Sequence, residues 1–397
     1  MDARLEELAA RVGVALFDYQ REYLEAALEM MHAEGHPRTC LYYKTGAGKS
    51  LTALASIALW GYHTCVVVAP PSTHQQWLEL GMLMHISVAP MSHAKFRMKD
   101  TKLSRNVPII ADEMHLFGGQ RGQGWRKLDK LAAHLQAPLV LASATPNYND
   151  AERVYCIKHV LNPASCSGGY LQFLYRNCVT EQDPFSMTPK VLGFNNYPNA
   201  AAYLADLPGV YYLADDLVYT IEEVPYQENP DKALTTYGYN RQKHKMVGSI
   251  IEMAHTIRCQ GLMDKHGELH PDIFEQLLKL LDPNARTLVF AQHSTVAVAV
   301  ASSLCTARYN AAIVTGKTSA TEKDRTLTAF RAGLYDILVG TATLATGTDG
   351  LDKVCDTLVI LDDTSDDALR RQLIGRIMPR GTYVSTNPKR IFRFSPL

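Results

Sequence analysis

Short β-branched and apolar runs alternate with helix-length segments along most of this chain, and the alternation occurs in two sets. The runs are residues 39–43, 64–69, 107–111 and 139–142 in the first set, and 287–291, 311–315, 336–340 and 357–361 in the second. Parallel strands need crossover connections, which are usually helices. The pattern therefore predicts an α/β fold with two mostly parallel sheets, each flanked by helices.

The length supports the same division. A chain of 397 residues is longer than a single hydrophobic core usually covers. The stretch between the two sets is less regular and is rich in Tyr, Asn and Pro, so we place a domain boundary near Asp215. The predicted domains are residues 1–215 and residues 216–397.

Composition excludes several classes of protein. The 40 basic and 40 acidic residues balance, and 47% of the residues are hydrophobic, so the chain is neither disordered nor a bulk polyanion binder. The most apolar long stretch, residues 51–62, is too short to span a membrane. No signal segment opens the sequence. We expect a cytoplasmic protein without a membrane partner and with a monomeric core.

The first candidate site follows the first predicted strand. Thr45, Gly46, Ala47, Gly48, Lys49 and Ser50 lie between that strand and a predicted helix. Backbone N–H groups in such a turn wrap phosphate oxygens, Lys49 meets the β- and γ-phosphates, and the Ser50 hydroxyl holds Mg²⁺. Tyr43 occupies the position where the full pattern has its first glycine, and a chance glycine-containing turn is the alternative.

Two carboxylates follow the third run. Asp112 and Glu113 come at its end, which in a parallel sheet is the ligand-binding edge. Asp112 is predicted to bind the metal, and Glu113 to orient or deprotonate an attacking water. Pro108 within the run weakens the strand prediction, because proline suits the start or edge of a strand.

Short polar side chains end the next run. Ser143, Ala144 and Thr145 can contact His115 and a neighbouring lobe, which predicts that they transmit the state of the γ-phosphate. A helix cap before Asn149 is the alternative interpretation.

These elements, in this order, resemble those of superfamily 2 helicases and translocases. The residues 17–20, Phe-Asp-Tyr-Gln, resemble the adenine-reading element, and residues 69–72 with Gln76 and Trp77 resemble the element that follows a nucleic-acid strand. Residues 289–294, 338–350 and 372–376 resemble the fourth, fifth and sixth motifs of the family. The likeness extends from Leu16 to Arg380.

The resemblance implies two tandem RecA-like lobes, with ATP, Mg²⁺ and nucleic acid bound at the cleft between them. It assigns Arg376 to the arginine finger, with Gln372 and Arg380 also at the catalytic centre. Arg380 departs from the family's spacing, because Pro379 occupies the slot of the second arginine. The further implied contacts are Phe17, Gln20, Gly347 and Asp349 to the nucleotide, and Pro70, Pro71, Ser72, Trp77 and Thr341 to the nucleic acid.

Within the superfamily the chain is most similar to Swi/Snf-type DNA translocases, in a compact form that resembles a minimal phage or bacterial version. His115 distinguishes it from DEAD-box RNA helicases, which have Asp at that position. The resemblance implies an ATP-dependent motor on duplex, branched or single-stranded DNA. An RNA helicase of the Asp-Glu-x-His kind and a nucleotide-gated clamp without productive hydrolysis remain as alternatives.

A basic stretch outside these motifs is a further candidate contact for nucleic acid. Its cations are Lys95, Arg97, Lys99, Lys102 and Arg105, opposed only by Asp100. A second basic stretch occupies residues 237–245. A solvated surface accounts for either stretch equally well.

Overall fold

The computed structural model describes residues 6–7, 10, 13, 15–144, 151–182, 189–214, 218–227, 261–263, 268–345, 348, 350–364, 367–379 and 388–396. The second predicted basic stretch lies outside these residues. The chain forms two compact units, Met1–Asp216 and Leu217–Leu397.

The first unit is a six-stranded parallel sheet flanked by helices, with the strand order β3-β2-β4-β5-β1-β8. Its main strands are β1 (Arg38–Tyr43), β2 (Thr64–Val68), β3 (Ser87–Met91), β4 (Ile109–Ala111), β5 (Leu139–Ser143) and β8 (Val210–Leu213). Its helices are α1 (Asp18–Glu34), α2 (Lys49–Leu59), α3 (His74–Leu83), α4 (His93–Arg97), α5 (Gln123–Ala132), α6 (Ala151–Leu161), α7 (Gly169–Asn177) and α8 (Ala200–Ala205). An antiparallel hairpin of β6 (Cys178–Glu181) and β7 (Lys190–Phe194) follows α7.

Alternating residues of each strand build the cores on the two faces of this sheet. Cys40 and Tyr42 pack into one apolar cluster with Leu139, and Leu41 and Tyr43 pack into the other. Both faces of the strands are therefore buried, as the near-continuous apolar runs of the sequence indicate.

The second unit has the same architecture, with the parallel strand order β11-β12-β10-β13-β14-β9. The strands are β9 (Ile221–Tyr226), β10 (Arg286–Ala291), β11 (Ala311–Val314), β12 (Ile337–Gly340), β13 (Cys355–Asp362) and β14 (Arg390–Pro396). The helices are α9 (Pro271–Leu280), α10 (Ser294–Thr306), α11 (Ala320–Arg331) and α12 (Asp367–Ile377).

The predicted fold class is confirmed: the chain has two tandem α/β lobes with parallel sheets. All eight predicted strands are present, with ends that differ from the prediction by at most two residues. The difference at β4 has a clear cause, because the strand begins after Pro108, whose carbonyl accepts a hydrogen bond from the Val66 N–H at 2.9 Å. In the described part of the chain, no helix is long and apolar enough to cross a membrane.

Candidate nucleotide site

The turn between β1 and α2 has the backbone of a phosphate-binding loop. Gly46 and Gly48 have φ values of 79° and 74°, in the left-handed region that favours glycine. Gly48 is the N-cap of α2, and no side chain caps this helix end in the described structure. The Lys49 ammonium donates to the carbonyls of Tyr43 at 3.1 Å and Lys44 at 3.2 Å, so it folds over the turn. Uncapped N–H groups and a cation thus converge at this turn, an arrangement that suits an anion.

Residues of the predicted adenine-reading element brace this turn. Gln20 is only 2% exposed, and its amide nitrogen donates to Thr52 Oγ1 at 3.1 Å and to Ala47 O at 3.4 Å. Its amide oxygen accepts from the Phe17 N–H at 3.0 Å, and the Tyr19 hydroxyl also donates to Ala47 O, at 3.1 Å. The Gln20 amide is therefore occupied inside the lobe, and a contact with adenine requires one of these bonds to be exchanged. The Phe17 ring is 45% exposed and stacks on Tyr19, with 5.5 Å between ring centroids.

Tyr43, which replaces the expected glycine, points away from the turn. Its ring is 2% exposed in the core, and its hydroxyl donates to the Tyr19 carbonyl at 3.2 Å. The Tyr43 hydroxyl therefore supports the backbone of the predicted adenine-reading element, and the Tyr43 ring does not block the loop.

Asp112 lies at the carboxyl end of β4, on the edge of the sheet that also carries the loop. Burial and the neighbouring Glu113 charge raise the pKa of Asp112 to about 7, while the charge of Lys49 lowers it. Because β5 alone separates β4 from β1, the two strands that lead to Asp112 and to the loop lie two strand spacings apart, about 10 Å. A buried carboxylate facing one cation across this gap fits a divalent metal and a polyphosphate.

Trp77 has a different role from the predicted contact with nucleic acid. Its ring is 1% exposed and packs in the core of the first unit, so it cannot stack on a base. The indole N–H instead lowers the pKa of Asp112, although no hydrogen bond of standard geometry forms in the described structure. Pro71 is exposed and Ser72 is half-buried in the 3₁₀ turn Pro71–Thr73, whereas Pro70, just before the turn, is buried.

Glu113 has an unusual backbone conformation. Its φ of 46° and ψ of 55° are left-handed, which costs a residue with a Cβ about 1–2 kcal/mol. Its Oε2 atom is buried and accepts no hydrogen bond within the described residues. The left-handed backbone thus holds a buried carboxylate oxygen that lacks a hydrogen-bond donor among the described residues, which suits the predicted general base.

His115 connects this acidic turn to the next strand. Its Nδ1 atom lies 3.3 Å from the Ser143 hydroxyl at the end of β5, and 3.3 Å from Glu113 Oε2. Ser143 is fully buried and Ala144 is 6% exposed. The structure therefore brings together the two predicted coupling residues His115 and Ser143.

In the second unit, Gln372 and Arg376 lie on α12, and Thr341 directly follows β12. Arg376 is 9% exposed and donates from Nε to the Ala345 carbonyl at 2.8 Å, and Gln372 is 4% exposed on the same helix. Thr341 is 7% exposed and its hydroxyl lies 3.5 Å from that of Thr343, so little of its side chain is available to a polymer.

Lys323, on α11, was not predicted from the sequence. It donates to the Thr343 carbonyl at 2.6 Å, in the same turn that accepts from Arg376. Burial, with the Arg376 charge as a further cause, lowers the pKa of Lys323 to about 8.

Comparison with known proteins agrees with this arrangement. Residues 271–381 match the family described as the helicase conserved C-terminal domain. This match lies within the second unit, which is therefore similar to a helicase C-terminal domain over these residues. A search among curated proteins finds no significant match to the chain.

Solved structures give two similar proteins. A variant of S. cerevisiae Dbp5, bound to RNA and ADP BeF3, is 16% identical with a TM-score of 0.53, and the match covers 96% of this chain and 88% of that one. The Sulfolobus solfataricus SWI2/SNF2 ATPase core in complex with dsDNA is 15% identical with a TM-score of 0.42, and the match covers 97% and 88%. The match to Dbp5 shows that the chain shares the two-lobed α/β fold of that protein.

Four residues predicted from the helicase motifs, Thr145, Gly347, Asp349 and Arg380, lie outside the described residues. One important residue of the first lobe carried no motif signal. His93, the first residue of α4, is buried, and its Nε2 atom lies 3.0 Å from the Asp112 carbonyl. Burial lowers the pKa of His93 to about 4. Only the strand order, in which β2 pairs with both β3 and β4, brings His93, which follows β3, to the end of β4.

Proposed function

We propose that this protein is an ATP-dependent nucleic-acid motor that hydrolyses ATP to ADP and phosphate and moves along or remodels DNA. The observation that carries the proposal is the juxtaposition, at one edge of the first sheet, of the Lys49 turn and the Asp112–Glu113 turn. The charge of Lys49 is close enough to lower the pKa of Asp112. Phosphate-binding donors and two carboxylates on facing turns are the parts that phosphoryl transfer requires.

The residues present fit Mg²⁺. Ser50 supplies a hydroxyl at the start of α2, and Asp112 supplies a buried carboxylate whose anionic form is disfavoured by burial and by Glu113. Oxygen ligands of this kind suit Mg²⁺, which, when bound, would neutralise phosphate charge. Ser50 and Asp112 are therefore the proposed protein ligands.

Glu113 is the proposed base for the attacking water. Its Oε2 atom accepts no hydrogen bond from any described residue and is held beside His115. A carboxylate free to accept a proton, with an adjacent imidazole that also faces Ser143, can respond both to the water and to the state of β5.

The second unit supplies Arg376 in this proposal. The family resemblance assigns its guanidinium to the γ-phosphate, where it stabilises the charge of the transferring group. Hydrolysis then shifts the polymer, which contacts Pro71 and Ser72 in the first lobe. The similar Dbp5 structure holds RNA and ADP BeF3, so this fold accepts both a nucleotide and a nucleic acid.

The test is an ATPase assay of the whole chain without polymer and with single-stranded DNA, duplex DNA, branched DNA or RNA. We expect DNA to raise kcat at least about tenfold, and Lys49→Ala to abolish turnover by removing the phosphate contact. Stimulation by RNA alone indicates an RNA helicase. Polymer binding that depends on ATP, without turnover in any arm, indicates a nucleotide-gated clamp and refutes the motor.

A further inference from the structure

His93 contacts both ends of the acidic turn. Its Nε2 atom lies 3.0 Å from the Asp112 carbonyl, and its ring packs edge-on against Phe117, with centroids 5.0 Å apart. Phe117 ends the 3₁₀ turn Met114–Phe117 that follows Glu113 and is 2% exposed. A side chain from the edge of the sheet thus spans the whole segment that carries the two carboxylates.

The contact at Asp112 fixes one peptide group. The Asp112 carbonyl and the Glu113 N–H belong to the same planar unit. His93 binds its oxygen, and the Asp112 side chain accepts from its N–H at 2.9 Å. On the other side of Asp112, its own N–H donates to the Val68 carbonyl of β2 at 2.9 Å. The peptide is therefore held at its oxygen and at its hydrogen.

This peptide decides where both carboxylates point. Its rotation changes ψ of Asp112 and φ of Glu113 together, and Glu113 has the costly left-handed φ of 46°. A residue with a Cβ remains in this region only where the surroundings hold it. Without a donor at the Asp112 carbonyl, the peptide is free to rotate and relieve Glu113, which displaces the proposed base and turns the proposed metal ligand.

We infer that His93 is a positioning residue for ATP hydrolysis, which acts by donating a hydrogen bond to the peptide that joins Asp112 and Glu113. The inference rests on the proposed function. It adds a residue outside the motifs, two strands away in the sheet, that controls the geometry of the catalytic turn without contact with ATP.

Two variants separate the hydrogen bond from the packing. His93→Phe keeps an aromatic ring against Phe117 but has no donor, whereas His93→Gln has an amide nitrogen at about the position of Nε2 but no ring. We expect polymer-stimulated kcat to fall about 10- to 100-fold in H93F, with KM for ATP changed by less than about threefold, because a small misplacement of the reacting groups affects the rate more than binding. We expect H93Q to retain kcat within about threefold.

His159 provides the matched control. Its Nδ1 atom lies 2.8 Å from Asp129 Oδ1, between α6 and α5, and the pair does not contact the acidic turn. His159→Phe removes a comparable histidine hydrogen bond and should leave kcat unchanged. If H93F and H93Q lose kcat equally, in proportion to a loss of folded protein, the role of His93 is merely structural and the inference is overturned.

A second measurement decides the inference even if the wild-type protein hydrolyses no ATP, a result that refutes the proposed function alone. Crystal structures of the wild type, H93F and H93Q report φ of Glu113. We expect the peptide to rotate in H93F and to keep its orientation in H93Q. An unchanged peptide in H93F overturns the inference. If phenylalanine prevents folding, His93→Leu, which also lacks a donor, takes its place in both measurements.

Discussion

The His115 imidazole lies 3.3 Å from the Ser143 hydroxyl and joins the acidic turn after β4 to the end of β5. The same nitrogen is 3.3 Å from Glu113 Oε2, so one ring faces both the proposed base and the neighbouring strand. A proton on Nδ1 can be shared with only one of these acceptors at a time. The ring is thus placed to change partners when the charge at Glu113 changes.

Ser143→Ala removes one of the two partners of His115. We expect the ratio of polymer-stimulated to basal ATPase activity to fall about fivefold, because a net hydrogen bond is worth about 1 kcal/mol and here it joins two strands. Steady-state rates with and without duplex DNA measure the ratio. The Ser165 hydroxyl, which bonds the Asn162 carbonyl at 2.8 Å after α6, provides a control in Ser165→Ala. An unchanged ratio in S143A contradicts the coupling role.

Substitutions of Glu113 separate its chemistry from its backbone strain. Glu113→Gln should retain ATP binding and lose turnover by at least about 100-fold, because the amide cannot accept a proton. Glu113→Gly and Glu113→Ala both lose the carboxylate, but only alanine keeps a Cβ at φ 46°. We expect the glycine variant to be the more stable of these two by about 1 kcal/mol in urea unfolding. Equal stabilities would show that the turn carries no strain.

Gly48 combines a left-handed backbone with a close neighbour. A Cβ at this position lies 2.6 Å from the Gln20 amide nitrogen, whereas a Cβ at Gly61, whose φ is also left-handed at 80°, has nothing within 4 Å. Gly61→Ala therefore measures the backbone cost alone, about 1 kcal/mol. We expect Gly48→Ala to destabilise the protein more than this and to weaken binding of ATP, as measured by thermal unfolding and nucleotide titration. Equal costs at the two glycines contradict the bracing role of Gln20.

Lys323 predicts a dependence of stability on pH. Its pKa is lowered from 10.5 to about 8 by burial and by Arg376, so above pH 8 the folded protein releases a proton that the unfolded chain still binds. The free energy of unfolding should therefore rise with pH from 8 towards 10.5, by up to about 3 kcal/mol from this group, relative to Lys323→Met. Urea unfolding of both proteins between pH 7 and 9.5 tests this difference. Parallel curves of unfolding free energy against pH for the two proteins would show that the pKa of Lys323 is not lowered in the folded protein.

The basic stretch of residues 95–105 lies on a segment whose backbone is held in place by Lys127. Lys99 and Lys102 are exposed, while Lys127 donates to the carbonyls of Met98 and Thr101 at 2.5 Å and 2.8 Å and holds the backbone. Reversal of both charges to Glu should weaken binding to duplex DNA and reduce the slope of log K against log salt by about 0.9 for each phosphate that the protein no longer neutralises. The same change at the exposed Lys130 and Lys190 is the control. If reversal of the control pair weakens DNA binding as much as reversal of Lys99 and Lys102, the binding depends only on net charge and not on this stretch.

Local signals in the sequence were sufficient to predict most strands of the two sheets and the phosphate turn. In the phosphate turn, the strand, the glycine turn and the start of the helix are formed by consecutive residues. Strands β3 and β14 were missed for local reasons as well. In the edge strand β3, Pro90 interrupts the apolar run, and in the inner strand β14 the charges of Arg390 and Arg393 interrupt it.

The parts of the site that depend on packing could not be predicted. Trp77 carries the expected motif but faces Asp112 from within the core, and His93 reaches the same residue from α4. The left-handed φ of Glu113 has no sequence signal, because glutamate does not favour it. Such features arise only when elements distant in sequence are assembled.

The order of the second sheet affects how the chain folds during synthesis. Its outer strand β9 pairs with β14 and with no other described strand, although β9 directly follows the first unit and β14 lies at residues 390–396. All six strands of the first sheet are translated before residue 214. The first lobe can therefore fold while the second lobe is still being translated. During the interval before β14 leaves the exit tunnel, both edges of β9 are open to pairing with other nascent chains, which is a risk of aggregation.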